Sequence, residues 1–102
     1  MRYVLIRIVG NGEFSKDAFT EALEAEIRRI FGEVGFAALN FRVIDLESEP
    51  HRAIVRCNSS GVIHLKFALS STRNIGGEPC VLFSERTSGT LRSLRTRPVA
   101  GR

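Results

Sequence analysis

Residues 37–57, AALNFRVIDLESEPHRAIVRC, decide the fold because two strand-like runs follow one another across a short turn. The runs from Ala37 to Leu46 and from His51 to Cys57 alternate apolar with polar side chains, which is the period of a half-buried strand. Ser48-Glu49-Pro50 between them consists of turn-forming residues. The stretch therefore predicts an antiparallel hairpin in the middle of the chain.

A strand and a helix are predicted before this hairpin. Residues 3–9 are rich in β-branched side chains and end at Gly10-Asn11-Gly12, which favours a buried strand followed by a turn. Ser15 then has the position of an N-cap, and we expect the helix that follows to end at Gly32 and Gly35. The apolar stripe of this helix consists of Phe19, Leu23, Ile27, Ile30, Phe31 and Val34.

A second helix and a fourth strand are predicted after the hairpin. Asn58-Ser59-Ser60 is typical of a helix cap, and the helix is expected to run from about Gly61 to Arg73. Asn74 to Gly77 favours a turn, and Pro79 to Thr87 favours a strand.

The resulting order is βαββαβ, in which two split βαβ units form an α+β sandwich of the ferredoxin-like (RRM-like) class. We expect a four-stranded antiparallel sheet in the order 4-1-3-2, with both helices on one face. Residues 1–87 are expected to form this domain, and residues 88–102 a basic C-terminal helix and tail.

Length and composition restrict the class of protein. The chain has 102 residues, of which 43% are hydrophobic and 25% charged, enough for one soluble domain that needs no disulfide or structural metal. No apolar run approaches the ~18 residues of a membrane span, and Arg7 interrupts the first run before a signal-peptide core could form. We therefore expect a cytoplasmic protein that has no membrane contact. Cys57 and Cys80 are expected at opposite ends of the sheet, as free and buried thiols.

The positive charge is concentrated in the last sixth of the chain. Residues 86–102 carry five arginines and no acid, whereas residues 1–85 carry 10 basic and 11 acidic side chains. A basic segment on a nearly neutral body indicates an anionic partner, most often nucleic acid. Ser88-Gly89-Thr90 precedes a short predicted helix, so hydroxyls and backbone N–H groups could bind a phosphate there. A helix cap followed by a solvated tail is the alternative interpretation.

The open face of the sheet is a second candidate surface. Its central strands place on it Tyr3, Leu5, Arg7, Arg52, Ile54 and Arg56. RNA-recognition motifs stack bases on aromatic side chains at such positions, and the third strand has none. We therefore expect a protein interface on this face, with contact to an RNA backbone as the alternative.

The residue patterns predict neither catalytic residues nor a bound metal. Gly10-Asn11-Gly12-Glu13-Phe14-Ser15 lacks the third glycine of the dinucleotide fingerprint. Asp45, Glu47 and Glu49 alternate along the hairpin, a pattern more typical of a solvated edge than of a cation site.

Two motifs and their order resemble a known family. Ala53-Ile54-Val55-Arg56-Cys57 precedes a capped helix that contains Lys66-Phe67-Ala68-Leu69, and Ser88-Gly89-Thr90-Leu91-Arg92 follows the last strand. This arrangement resembles the ribonuclease P protein component 2 family, the small protein subunit of archaeal ribonuclease P, which has eukaryotic counterparts. The specific part of the match covers residues 53–95, whereas residues 1–50 match in pattern.

The resemblance implies a ferredoxin-like fold and a subunit that binds and supports the catalytic RNA of ribonuclease P in removing the 5′ leader of precursor tRNA. It implies a complex with ribonuclease P protein component 3 and other ribonuclease P protein subunits, assembled as a heterotetramer that contains a homodimer of this chain. The RNA, with Mg²⁺, would carry the chemistry, so the chain is expected to be a non-catalytic part of the holoenzyme and to bind no cofactor. Arg56 matches the end of the family's third strand, and Ser88, Gly89, Thr90 and Arg92 match its terminal motif. From the phosphate-binding argument, the expected RNA-binding residues are Arg56, Arg86, Ser88, Gly89, Thr90, Arg92, Arg95 and Arg97.

Two other functions are compatible with the same fold. A small acylphosphatase-like enzyme would carry an arginine in its first loop, which Gly10-Asn11-Gly12 lacks. A ligand-sensing regulatory domain would leave the basic tail unexplained.

Overall fold

A computed structural model describes residues 1–48 and 51–95, with the backbone alone at Ser48 and Arg95. Along the chain the elements are β1 (Arg2–Val9), α1 (Lys16–Leu39), β2 (Arg42–Ser48), β3 (His51–Cys57), a 3-10 turn (Ser59–Gly61), α2 (Val62–Ser71), β4 (Asn74–Ile75), β5 (Glu78–Pro79), β6 (Val81–Ser88) and α3 (Leu91–Arg95). The four long strands form one antiparallel sheet in the order β2-β3-β1-β6. The predicted ferredoxin-like fold is confirmed, including its strand order.

Helix α1 begins as the sequence predicts. The hydroxyl of Ser15 accepts a hydrogen bond from the backbone N–H of Ala18 at 3.0 Å. Phe14 before the cap and Phe19 in the first turn are both buried in the same apolar cluster. A cap and a hydrophobic pair on either side of it together fix the angle at which the chain enters the helix.

The predicted end of α1 is wrong. Gly32 has φ 75° and ψ 177°, so it kinks the helix, yet helical structure continues to Leu39. Asn40 ends it with a left-handed φ of 54° and donates its N–H to the carbonyl of Ala37. The alanines after the kink are strong helix formers, so residues 37–39 lie in α1 and the second strand begins at Arg42.

The second helix and the last strand also differ from the prediction at their ends. Asn58 does not cap α2, because its side-chain amide donates to the carbonyl of Ala38 at 2.6 Å and so ties the end of α1 to the end of β3. The segment from Asn74 to Pro79 forms a hairpin of its own, β4 and β5. Cys80 ends that hairpin by donating its N–H to the carbonyl of Arg73, and the long strand starts one residue later.

The main core lies between the helices and one face of the sheet. Val4, Ile6 and Val55 of the sheet and Phe19, Leu23, Ile27, Leu65 and Leu69 of the helices are almost completely buried in it. Val34, which the sequence places on the buried stripe of α1, is 85% exposed, because the kink at Gly32 turns the last part of the helix.

Both cysteines are free and buried, as predicted. Burial raises the pKa of the Cys57 and Cys80 thiols above the ordinary value, which disfavours the nucleophilic thiolate. None of the helices in the part of the chain that the structure describes has both the length and the apolar character that crossing a bilayer requires.

Candidate nucleic-acid interface

The sheet face opposite α1 and α2 carries three rows of side chains that cross the strands. The row at one end contains Arg42, Arg56, Tyr3 and Ser88, which are successive register partners across β2, β3, β1 and β6. We name it the basic row. The next, the covered row, contains Ile54, Leu5 and Arg86, and the third, the paired row, contains Glu47, Arg52, Arg7 and Phe83.

Two β-bulges determine which side chains share a row. In β2 the register shifts between Val43 and Asp45, and this shift brings Arg42 rather than Val43 opposite Arg56. In β6 the register shifts between the partners of Leu5 and Ile6, and Glu85 is the extra residue. A bulge re-aims side chains at a fixed place in a strand, so these two positions build the charge pattern of the face.

The arginines of the paired row share one acidic partner within the chain. Glu85 forms an ion pair with each of them, with Oε2 3.3 Å from Nε of Arg7 and Oε1 3.2 Å from Nε of Arg52. The guanidinium of Arg7 also lies 5.4 Å from the ring centroid of Phe83. These two cations therefore have an anionic partner of their own.

Helix α3 lies on the covered row. Leu94 is only 5% exposed and forms one apolar cluster with Leu5 and Ile54, against which Tyr3 and Leu91 also pack. The face was expected to be open for a protein partner, and its centre is instead occupied by the end of the same chain.

The predicted RNA-binding residues that the structure describes lie on β3, on β6, in the turn after β6 and on α3. Arg56 is half-buried in β3, Arg86 is exposed in β6, and Ser88, Gly89 and Thr90 connect β6 to α3. Arg92 is exposed on α3, and Arg95 ends that helix. Arg97 lies outside the described residues.

The two hydroxyls of the turn are engaged with its backbone. The Ser88 hydroxyl accepts from the N–H of Thr90 at 3.1 Å, and the Thr90 hydroxyl accepts from the N–H of Ser93 at 3.2 Å. The Thr90 hydroxyl therefore caps α3, whereas the Ser88 hydroxyl closes the turn that precedes the helix. Their contact with RNA stays a prediction, and the arginines around them are the stronger candidates.

Sequence reasoning missed Arg2 and Arg42, both of which are exposed at this end of the sheet. A Cβ placed on Gly89 would lie 3.2 Å from Nη1 of Arg2, so the Arg2 guanidinium is next to the Ser88–Thr90 turn. Counting back from the predicted hairpin turn without a bulge would have paired Val43 with Arg56. The sequence contains no signal for that one-residue shift.

The glycine-rich first loop is not a phosphate cradle. A Cβ on Gly12 would lie 2.7 Å from the side chain of Glu78, and one on Gly10 would lie 2.7 Å from the carbonyl oxygen of Pro79. The two glycines allow the loop to pack against β5, and the neighbouring carboxylate disfavours an anion. Within residues 1–48 and 51–95, no group of three or more His, Cys, Asp or Glu side chains is arranged to hold a metal ion.

Comparison with known proteins shows which family the chain is similar to. The family model described as the Rpp14/Pop5 family matches residues 2–98. The chain belongs to the Rpp14/Pop5 family. The chain is 28% identical over 99 residues to ribonuclease P protein component 2 of Pyrococcus horikoshii, with 97% of this chain and 82% of the relative covered. The same-named protein of Pyrococcus abyssi is 29% identical, with 94% and 81% covered. The family resemblance predicted from the sequence is confirmed.

A solved structure shares the fold of this Rpp14/Pop5 family member. A chain in the cryo-EM structure of yeast ribonuclease MRP superposes with a TM-score of 0.71 at 14% identity, covering 89% of this chain and 75% of that one. At this identity the likeness concerns the fold alone, and it supports the ferredoxin-like architecture described above.

Proposed function

We propose that this chain is a protein subunit of ribonuclease P and that it binds and supports the catalytic RNA during removal of the 5′ leader from precursor tRNA. The subunit assignment follows from membership of the Rpp14/Pop5 family and from the names of relatives that align over nearly the whole chain. The RNA-binding role is supported by the charge of one end of the sheet.

The observation that carries this role is a set of cations without internal acidic partners. Arg2, Arg42 and Arg56 lie at one end of the sheet, and Arg86 is exposed in the adjacent covered row. None of these four arginines forms an ion pair within the described residues. Guanidinium groups bind phosphate through parallel hydrogen bonds, and such contacts orient a protein on RNA without reading its sequence. Residues 86–102 contribute five arginines and no acid to the chain.

The chain itself is proposed to be non-catalytic. Its cysteine thiols are buried, with pKa values raised by that burial, and its glycine-rich loop faces Glu78. The RNA, with Mg²⁺, would carry out the hydrolysis, and the protein would bind no cofactor of its own. The proposed site of action is the cytoplasm, where RNA is available and thiols stay reduced.

The proposed protein partners are ribonuclease P protein component 3 and the other protein subunits, in an assembly with two copies of this chain. The helical side of the molecule supports this proposal, because Val34, Ile63 and Phe67 are 85%, 79% and 58% exposed there. Exposed apolar side chains of this size favour burial against another protein. That contact would add affinity that salt does not weaken, while the arginines act on the RNA.

The direct test is reconstitution of precursor tRNA cleavage. The purified chain alone is expected to leave precursor tRNA intact, and its addition to the ribonuclease P RNA and the remaining protein subunits should raise the cleavage rate at limiting Mg²⁺. Affinity purification of the tagged chain from its own cells should recover the same RNA. Cleavage by the isolated polypeptide, or a purified assembly without the RNA, would contradict the proposal.

A further inference from the structure

We propose that Arg42 and Arg56 of the basic row form a two-arginine clamp for phosphates of the RNA backbone. This inference rests on the proposed function and assigns the RNA contact to two residues of the sheet. Both residues lie outside the basic tail and outside the turn before α3. The first observation is their register, since Arg42 on β2 lies directly opposite Arg56 on β3. Directly opposite residues of an antiparallel pair have Cα atoms only about 4.5–5.5 Å apart.

Two like charges in this position destabilise a sheet unless something neutralises them. Elsewhere in the same sheet, one carboxylate offsets part of the charge of such a pair. Arg7 and Arg52 are also directly opposite one another, and Glu85 bridges them at 3.3 and 3.2 Å. No carboxylate in the described part of the chain forms an ion pair with Arg42 or Arg56. An external anion is therefore the missing counterpart of the basic row.

The packing of Arg56 prepares it for this role. It is half-buried, and its Nε atom is enclosed without a hydrogen-bond partner among the described residues. Tyr3, its register partner on β1, packs against the cluster beneath α3 and closes that side. A side chain that is already held in place loses less conformational entropy when it binds a ligand.

The neighbouring groups indicate a polyanion that extends along the sheet end. Arg42 is exposed on one side of Arg56, and Ser88 ends the row on the other, beside the turn that Arg2 contacts. Asp45, the acid nearest in β2, lies opposite Ile54 in the covered row, where its Oδ1 accepts from the N–H of Leu46 at 2.9 Å. A sugar-phosphate backbone matches a line of cations better than a single small anion does.

The experiment compares two double variants of the full chain in their binding to a transcript of the ribonuclease P RNA. Arg42→Gln/Arg56→Gln removes the clamp. Arg7→Gln/Arg52→Gln removes the same amount of charge from the paired row, where these two arginines also lie directly opposite one another on adjacent strands. Dissociation constants are measured between about 50 and 200 mM salt, the range over which phosphate contacts are weakened. Circular dichroism of each variant checks that the sheet is intact.

The logarithm of the association constant decreases linearly with the logarithm of the salt concentration. Loss of two phosphate contacts should reduce the magnitude of this slope by about 1.4–1.8. We expect this decrease, with at least a tenfold loss of affinity at low salt, for Arg42→Gln/Arg56→Gln. The paired-row variant should keep the slope within experimental error. Arg42→Lys/Arg56→Lys should keep the slope, because the charge is retained, and lose part of the affinity, because the parallel hydrogen bonds are lost.

The possible negative results have different meanings. If the wild-type chain binds the RNA and Arg42→Gln/Arg56→Gln keeps its slope, the clamp is wrong and the proposed function stands. If both double variants lower the slope equally, the contribution is one of general charge and the clamp is again wrong. A wild-type chain that does not bind the RNA contradicts the proposed function together with this inference.

Discussion

Leu94 of α3 packs in one apolar cluster with Leu5 of β1, on the sheet face that α1 and α2 leave uncovered. The contact joins the end of the chain to its first strand. It also divides the face, because α3 lies over the covered row, with the basic row on one side and the paired row on the other. This short helix therefore separates the two pairs of opposed arginines.

Leu94→Ala should destabilise the chain and uncover the sheet. Leu94 is 5% exposed, and truncation of a buried leucine costs about 2–5 kcal/mol, with the lower end expected here because a short helix can detach. Urea denaturation measures the loss, and binding of an apolar dye reports the exposed surface.

Leu91 supplies the matched control for Leu94. It belongs to the same helix but is only partly buried, so Leu91→Ala should cost less than Leu94→Ala. An equal or larger loss for Leu91→Ala would show that α3 does not sit on the sheet as described.

Glu85→Gln should strengthen RNA binding. The substitution keeps the size of the side chain and releases Arg7 and Arg52 from their shared carboxylate, so two more cations become available to phosphate. The salt slope of binding should rise by up to about 0.9 for each arginine that is recruited. The free energy of unfolding should fall by less than about 1 kcal/mol, because partly exposed ion pairs contribute little to stability.

Glu47 provides the comparison for Glu85. It lies in the same row, opposite Arg52, but forms no ion pair in the part of the chain that the structure describes. Glu47→Gln should change RNA affinity less than Glu85→Gln does. Identical gains from the two variants would mean that the bridge of Glu85 does not restrain the arginines.

The fold could be predicted from local patterns, and the arrangement of charges could not. Alternation over residues 51–57 and the cap at Ser15 define β3 and the start of α1, because each depends on neighbours in sequence. Gly32 is a typical helix terminator, but here its positive φ makes a kink and the helix resumes. Whether a glycine ends or bends a helix depends on the packing beyond it, which a sequence pattern does not contain.

The candidate site depended on two features without a sequence signal. The bulge after Val43 shifts β2 by one residue and brings Arg42 opposite Arg56. Folding of α3 back onto Leu5 is a contact between the two ends of the chain. The basic tail predicted an anionic ligand, and the register of the sheet was needed to find the arginines without acidic partners.

Gly32→Ala should destabilise the chain without changing RNA binding. At φ 75° and ψ 177° the backbone of Gly32 occupies a region that is almost restricted to glycine, and a side chain there costs about 1–3 kcal/mol. A Cβ would meet no atom within 4 Å, so the cost arises from the backbone and not from crowding. Urea denaturation of the variant measures it.

Val34→Ala is the control for Gly32→Ala, because it changes a side chain in the same part of α1 without affecting the backbone conformation at Gly32. Val34 is two residues away and 85% exposed, so its truncation should change stability by less than about 0.5 kcal/mol. Salt-dependent RNA binding should be the same for both variants, because the kink lies on the side of the sheet away from the basic row. If Gly32→Ala left the free energy of unfolding unchanged, the backbone at residue 32 would not have the positive φ described here.

Acid should weaken the contact between α1 and α2 through Glu26. Its carboxylate accepts from Arg29 at 3.0 and 2.7 Å and from the Ser71 hydroxyl at 2.5 Å. The hydrogen bonds from Arg29 are the main reason why the pKa of Glu26 lies below its ordinary value of 4.5, although burial opposes them. Because the folded-state pKa is the lower one, this stabilisation is complete above about pH 4.5 and is lost as the pH falls through the folded-state value.

The urea concentration at which half of the wild-type chain is unfolded should therefore decrease as the pH is lowered from about 6 to about 3. Glu26→Gln should make this decrease smaller. Glu21→Gln is the matched control, since Glu21 is exposed on the same helix and has no hydrogen bond or ion pair in the described structure. It should leave the pH dependence nearly unchanged. If Glu26→Gln retains the full wild-type dependence, the link from α1 to Ser71 does not contribute to the acid sensitivity of the fold.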